Sequence, residues 1–359
     1  MSESEDKTTA VHIKDLVGLL DGDMLRDVAD IDLKIQGWQR CDKGKLADLV
    51  VEHVKEDPLK ALRFDLVLLP PELYEAYDEM IAGNAVEVSA DDAFFDWYVD
   101  EFYLELEEVD VRGGKRYLCR MADEVRDAIE ADPDRYERLL ELHDDLADYV
   151  NCAAVLYGHV TYKEVCELYD RWNDDGLVDE QMVEIVAEDE LEYESGYFIH
   201  RGCICNLEND RGEGADREVE IFLKERADKP RWYPATEDDF LDWCDDTANL
   251  ESDSAKAFDE FLKSHGFQNA NWRANLMLEM VALRQIGERA GKIISSVSEH
   301  CKLKTKSDGD EFLSLIGNFL DNIRLRANNG WTSAELRANQ SVAAPATPVV
   351  RKQPAEGEI

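Results

Sequence analysis

Positive charge is what this sequence has least of. Its 40 Lys and Arg stand against 81 Asp and Glu in 359 residues, a formal net charge of −41. A surface this negative repels phosphate backbones and anionic lipid, which argues against ordinary electrostatic binding of nucleic acid or membrane. Long apolar runs are missing as well. No stretch of about 18 apolar residues occurs, so no membrane-spanning helix is expected. The opening Met1-Ser-Glu-Ser-Glu-Asp6 lacks the basic start and apolar stretch of a secretory signal, and the expected location is cytoplasmic. Eight cysteines are scattered at positions 41, 119, 152, 166, 203, 205, 244 and 301. In a reducing compartment they read as thiols rather than disulfides.

Familiar catalytic motifs are absent too. Gly212-Glu-Gly214 lacks the third glycine, the lysine and the preceding strand of a phosphate-binding loop. Neither a Gly-x-Ser-x-Gly elbow nor a His-Glu-x-x-His pair occurs. Carboxylates are so abundant that any two of them say little about acid–base chemistry, which needs pKa values separated by burial. The best metal candidate is His200-x-x-Cys203-x-Cys205, but a structural zinc needs four ligands. Strand alternation puts Cys203 and Cys205 on one face and His200 on the other unless Gly202 bends the chain. The favoured reading is two small buried residues and a surface histidine, with no metal and no cofactor. His300 adjoins Cys301, but neighbours on a helix point in different directions and form no dyad.

Hydrophobic residues at 44% and aromatics at 9% are ample for packed cores, and the length allows two or three compact units. Helical periodicity begins near Val11, with Ile13, Leu16, Val17, Leu19 and Leu20 on one stripe, then Met24, Leu25 and Val28. A tight turn at Gly37 precedes a helix carrying Leu46, Leu49, Val50 and His53. This Gly-aromatic turn, with Lys43 and Lys45 before a Leu-rich helix, resembles the three-helix module at the N-terminus of the transcription terminator Rho, and SAP-type modules. The resemblance implies that Arg40, Lys43 and Lys45 approach nucleic acid. The competing reading is a packing module with solvated lysines, which the charge of the rest favours.

Asp57-Pro58 starts a new segment. Helices are expected over 59–69, 71–81 and 90–103, the last placing Phe94, Phe95, Tyr98 and Phe102 on one face. Leu104–Val111 and Lys115–Met121 read as a hairpin around Gly113-Gly114, followed by a helix over 123–131. A second unit repeats the order. A long helix over 134–157 ends at Gly158, Thr161-x-x-Glu164 is a capping box opening a helix to Trp172, and a third helix runs over 179–187. Strand, turn and strand are then expected over 191–205. Helices followed by a hairpin are the winged helix-turn-helix order. A DNA reader places cations and amides on its third helix. Here that helix carries Asp179, Glu180, Glu184, Glu188 and Asp189, so the expected partner is a basic protein surface, or the acids are only a solvated face.

Beyond a loop over 207–230, in which 217–226 can form a short helix, further helices are expected at 236, 254–265, 271–301, 310–328 and 332. From Trp272 to Arg337 ten basic residues face eight acidic ones, so the acidity belongs to the earlier units. It is concentrated in two stretches without Lys or Arg, 86–110 and 172–199, each with ten Asp or Glu. The tail from Ser341 is Ala/Pro-rich and reads as disordered.

The order of these pieces resembles a family of bacterial proteins that often end in a SEC-C zinc motif. The matching segments are Met121-Ala-Asp-Glu-Val125, Leu156-Tyr-Gly158, Trp232-Tyr-Pro-Ala-Thr-Glu-Asp-Asp-Phe-Leu241 and Asn322-Ile-Arg-Leu-Arg-Ala-Asn-Asn-Gly-Trp-Thr332, with the three-helix start closing on Asp57-Pro58. This chain has no Cys-rich zinc tail, so a role tied to that metal does not carry over.

The sequence thus predicts a mainly α protein with small β-hairpins. It divides into a three-helix module (10–56), two winged-helix-like units (57–132 and 133–226), a helical C-terminal region (227–338) and a tail (339–359). The expected function is non-enzymatic interaction or regulation through a basic partner. The alternatives are a DNA mimic blocking a nucleic-acid-binding protein, weak nucleic-acid binding through Arg40, Lys43, Lys45 and the C-terminal Lys302, Lys304 and Lys306, and a hydrolase with an unrecognised carboxylate site. Acidity of this degree is also what adaptation to a salty cytoplasm produces.

Overall fold

A computed structural model describes residues 10–111, 114–193, 196–206 and 215–343. The described chain is mainly helical, with two small three-stranded antiparallel sheets, and divides into two compact units, Met1–Leu146 and Ala147–Ile359.

The first unit opens with α1 (Ile13–Leu19), α2 (Gly22–Asp27) and α3 (Lys43–Glu56). Asp21 and Asp42 cap α2 and α3 by accepting backbone N–H bonds, so each helix starts where its short acid stands. Ile13, Leu16, Val17, Leu25, Leu46, Val50 and Val54 are buried. Leu19 and Met24, expected on the same stripe, are exposed, because α1 ends at Leu19 and the chain turns before the next cap. Short helices α4 (Pro58–Ala61) and α5 (Arg63–Val67) lead to α6 (Tyr74–Ile81), β1 (Val86–Ser89) and α7 (Phe95–Asp100). A single helix over 90–103 is therefore wrong. Ala90 to Phe94 form turns, and Phe102 and Tyr103 are buried beyond the helix end.

The hairpin β2 (Leu104–Val111) and β3 (Gly114–Met121) forms where it is expected, but Gly114 pairs with Val111 and so belongs to the strand rather than to the turn; β1 adds to the free edge of β3, giving the order β1-β3-β2. Arg112 and Gly113 of the turn lie outside the described residues. Then come α8 (Asp123–Ala131) and α9 (Pro133–Tyr157). The N-terminal helices are tied to α8: Ile13 N–H donates to Glu124 Oε2 at 3.0 Å, and Lys55 Nζ pairs with Glu124 at 3.2 Å. Inside the unit, the fully buried Tyr77 and Tyr103 hydroxyls bond each other at 2.9 Å, and burial drives both phenols well above their ordinary pKa.

In the second unit β4 (His159–Thr161) follows directly on Gly158, where φ is +70°. It is succeeded by α10 (Tyr162–Tyr169) and α11 (Glu180–Asp189). The Thr161–Glu164 capping box is present in full. A 3₁₀ turn over Glu190–Tyr193 occupies the start of the expected strand. The hairpin itself is short: β5 (Phe198–Ile199) and β6 (Cys203–Cys205) join through Arg201 and Gly202, both at positive φ as a two-residue primed turn requires. The sheet order is β4-β6-β5.

Helices α12 (Ala215–Arg226), α13 (Glu237–Leu241), α14 (Asp253–Ser264), α15 (Ala270–Gln285), α16 (Ala290–Ser298), α17 (Lys306–Asn322) and α18 (Ser333–Ala343) complete the fold. Phe258, Phe261, Met277, Phe312, Ile316 and Phe319 form the core that α14, α15 and α17 share. The stretch 271–301 is two helices rather than one, since Gly287 at φ +81° ends the first. The helix expected to reach 328 stops at Asn322, and Arg324 pairs with Thr332 through one isolated antiparallel bridge. Residues 339–343, placed in the tail by the domain division, close α18. Residues 1–9, residues 207–214 of the expected loop and residues 344–359 of the expected tail lie outside the described residues.

Candidate functional site

Helix α11 starts at Asp179, whose carboxylate accepts the Met182 N–H at 3.0 Å. Met182, Val183, Val186 and Ala187 bury one face. Glu180, Glu184 and Glu188 occupy the opposite face, all exposed, one helical turn apart, about 6 Å along the axis. None of the three makes an ion pair with a cation among the described residues. Asp179 is exposed at the cap and Asp189 half-buried at the far end. All five predicted residues thus sit on one short helix, three of them in a straight row.

The row helps the helix only at its start, where Glu180 in the first turn meets the positive end of the macrodipole. Like charges at i,i+4 cost a few tenths of a kcal/mol per pair, and acids in the last turn oppose the macrodipole by roughly 0.3–1 kcal/mol each. The four buried side chains compensate: apolar burial stabilises by about 1.5–3 kcal/mol per large residue. The field of the row also reaches inward. The buried Tyr162 phenol is pushed up to about 12, by burial first and then by Glu184 and Glu188.

The other acid-only stretch has a different fate. On the first sheet, Arg120 pairs with Glu105 and Glu107 at 3.1 and 3.0 Å, Arg116 with Glu87 at 3.0 Å, and Lys115 with Glu108 at 3.2 Å. β3 therefore supplies cations to four of the ten acids of 86–110 through cross-strand pairing, while Asp91, Asp92, Asp96 and Asp100, outside the strands, are exposed. Linear charge counting made the two stretches equivalent, and the fold separates them.

The predicted nucleic-acid residues Arg40, Lys43 and Lys45 are exposed around the start of α3, beside the cap residue Asp42. Lys302 and Lys304 are exposed before α17 and Lys306 at its first position, followed by Asp308 and Asp310. His200 Nε2 lies 2.7 Å from Asp216 Oδ1, while Cys205 is buried and its thiol pushed up to about 12. The ligand atoms of His200, Cys203 and Cys205 do not all come within 4.8 Å of one another.

A second feature was not singled out by sequence chemistry. Three segments quoted for the family resemblance converge in the second unit. Trp232 N–H donates to Asn329 O at 3.0 Å, Tyr157 Oη donates to Trp232 O at 2.9 Å, and Trp331 Nε1 donates to Pro230 O at 2.9 Å. The Arg324 guanidinium stacks 3.3 Å from the Trp232 ring centroid and forks onto Glu335 at 2.9 and 3.2 Å. Trp232 and Trp243 meet edge to face at 6.5 Å. They line an open cleft of 510 Å³ with Pro234, Asp239, Asp242 and Arg324. Burial lowers the Arg324 pKa, and Glu335 holds it charged. Arg324 already covers the indoles, 3.3 Å from the Trp232 ring centroid and 5.8 Å from that of Trp243, so what the cleft leaves open are the exposed carboxylates of Asp239 and Asp242. Only its 92-residue chain separation hid the Trp232–Arg324 pair from the sequence.

No family model, curated protein or solved structure matches the chain. Neither resemblance drawn from the residues gains or loses by that comparison.

Proposed function

We propose that this protein is a non-enzymatic interaction protein that presents the α11 carboxylates to a basic protein surface. One observation carries the reading: Glu180, Glu184 and Glu188 form an exposed row without a cation partner among the described residues, whereas acids of the first sheet are paired at home. The order α9, β4, α10, α11, β5, β6 and the strand order β4-β6-β5 support a winged-helix reading of this region, with α11 in the place of a recognition helix. The first sheet, ordered β1-β3-β2, supports the same reading less fully, because one helix rather than two stands between β1 and β2. Exposed charge of this kind chiefly sets encounter rate and partner choice, and it is screened beyond about 8 Å at physiological salt.

The test compares capture by the wild type with capture by the E180K/E184K/E188K variant. Basic proteins retained at about 0.05 M salt and released at about 0.5 M should be lost from the variant. Equal capture by both, or capture indifferent to salt, contradicts the proposal.

A second reading is favoured by the straight, turn-spaced row: a nucleic-acid mimic occupying the phosphate-binding surface of a DNA-binding protein. It predicts that duplex DNA competes with this protein for the captured partner. The three-helix reading of residues 10–56 keeps a third, weaker possibility in view, since Arg40, Lys43 and Lys45 are exposed. A low-salt gel shift with no retarded band removes it.

A further inference from the structure

Cys152 lies on α9 with its side chain fully buried, and Cys244 lies in the turn after α13. Their sulfur atoms are 2.7 Å apart. A covalent S–S bond is about 2.05 Å, so the two thiols stand close to bonding distance while both are still free. Small movements of the turn suffice to close the gap, because its own backbone bonds are local: Trp243 N–H to Phe240 O and Cys244 N–H to Leu241 O.

We propose that Cys152 and Cys244 are a redox modification site, a dithiol that a peroxide converts to a disulfide. Of the eight cysteines, Cys244 is the exposed one. The bond from Cys152 lowers its thiol pKa, whereas burial pushes Cys119, Cys166 and Cys205 up to about 12. The oxidant's class follows from the surroundings. Asp242, Asp245 and Asp148 all set negative charge at Cys244, which disfavours anionic disulfides and admits a small neutral peroxide.

The chemistry balances in two steps. The Cys244 thiolate attacks one oxygen of hydrogen peroxide, the O–O bond breaks, and the departing hydroxide takes up a proton as water, leaving a sulfenic acid on Cys244. Cys152 sulfur then bonds Cys244 sulfur, the S–O bond breaks, and the Cys152 proton leaves with the oxygen as a second water. Two thiols lose two electrons and two protons, and one peroxide becomes two waters. A dithiol reductant reverses the product. The bond would join the cleft wall, through the neighbour of Trp243, to α9.

The experiment treats the purified full-length protein with hydrogen peroxide, counts remaining thiols and maps cross-linked peptides by mass spectrometry without reduction. The expected result is loss of two of the eight thiols, a peptide joining Cys152 to Cys244, and recovery of both thiols with dithiothreitol. C244S should show no cross-link, C152S should leave a Cys244 sulfenic acid that dimedone traps, and C301S should behave as wild type. Should C152S not fold, C244S and C301S still decide. Persistence of all eight thiols, sulfinic acid on Cys244 without a cross-link in the wild type, or cross-links spread over other cysteines would each overturn the proposal.

Discussion

Gly158 shows how closely single residues are held in the second unit. It sits at φ +70°, and a Cβ there would stand 3.0 Å from Arg326 Cβ and 3.1 Å from Phe222 Cζ. Arg326 is held in place, since its Nε–H donates to Val155 O at 2.9 Å. Gly158→Ala should cost about 1–3 kcal/mol in urea unfolding, through strained φ and crowding together. No loss of stability would mean that the turn is looser than described. His159, the next residue, is buried with Nδ1 unpartnered. Burial, and then Arg226, hold its pKa below the ordinary 6.5. The unfolded chain therefore binds this proton first. Stability contributed by the neutral ring is complete above the unfolded value and falls away as pH drops below about 6.5 toward the lowered folded value. Urea unfolding at pH 7 and about pH 5.5 should show a smaller decline for His159→Gln than for the wild type. Parallel declines would contradict the assignment.

At the scale of elements, the acidic row of α11 is predicted to be dispensable for folding. E180K/E184K/E188K exchanges Glu–Glu for Lys–Lys neighbours at i,i+4, relieves part of the net negative charge and buries nothing new, so its melting temperature should stay within a few degrees of the wild type or rise. A large drop would make the row structural. That row was legible in the sequence because a helix of 3.6-residue period turns alternating acids and aliphatics into two faces, and Asp179 marks where the face begins. The β2–β3 hairpin was legible for the same kind of reason, its apolar and turn residues being local. What failed were short pieces defined by partners far along the chain. β4 is three residues squeezed between Gly158 and the Thr161 cap, and its strand character comes from pairing His159 with Cys205 and Thr161 with Cys203. β1 is likewise defined by β3. The Trp232–Arg324 stack and the Cys152–Cys244 approach are illegible on the same ground. Each joins residues about ninety apart, and neither residue's local pattern announces the other.

For the whole molecule, a net charge of −41 means self-repulsion that the fold only partly relieves. Ion pairs on the first sheet are exposed and worth roughly 0–1 kcal/mol each, so they redistribute charge more than they stabilise. Screening should therefore help: raising salt from about 0.05 to 0.5 M is expected to raise the melting temperature, and a fall would show that attractive pairs dominate. The same screening should weaken binding if the proposed function is right, so salt moves stability and partner affinity in opposite directions. The most direct test is a salt titration of captured basic partner, run side by side on the wild type and on E180K/E184K/E188K. Wild-type binding should fall steeply with salt and the variant should retain almost none at any salt. Equal binding by both proteins would contradict a functional role for the row.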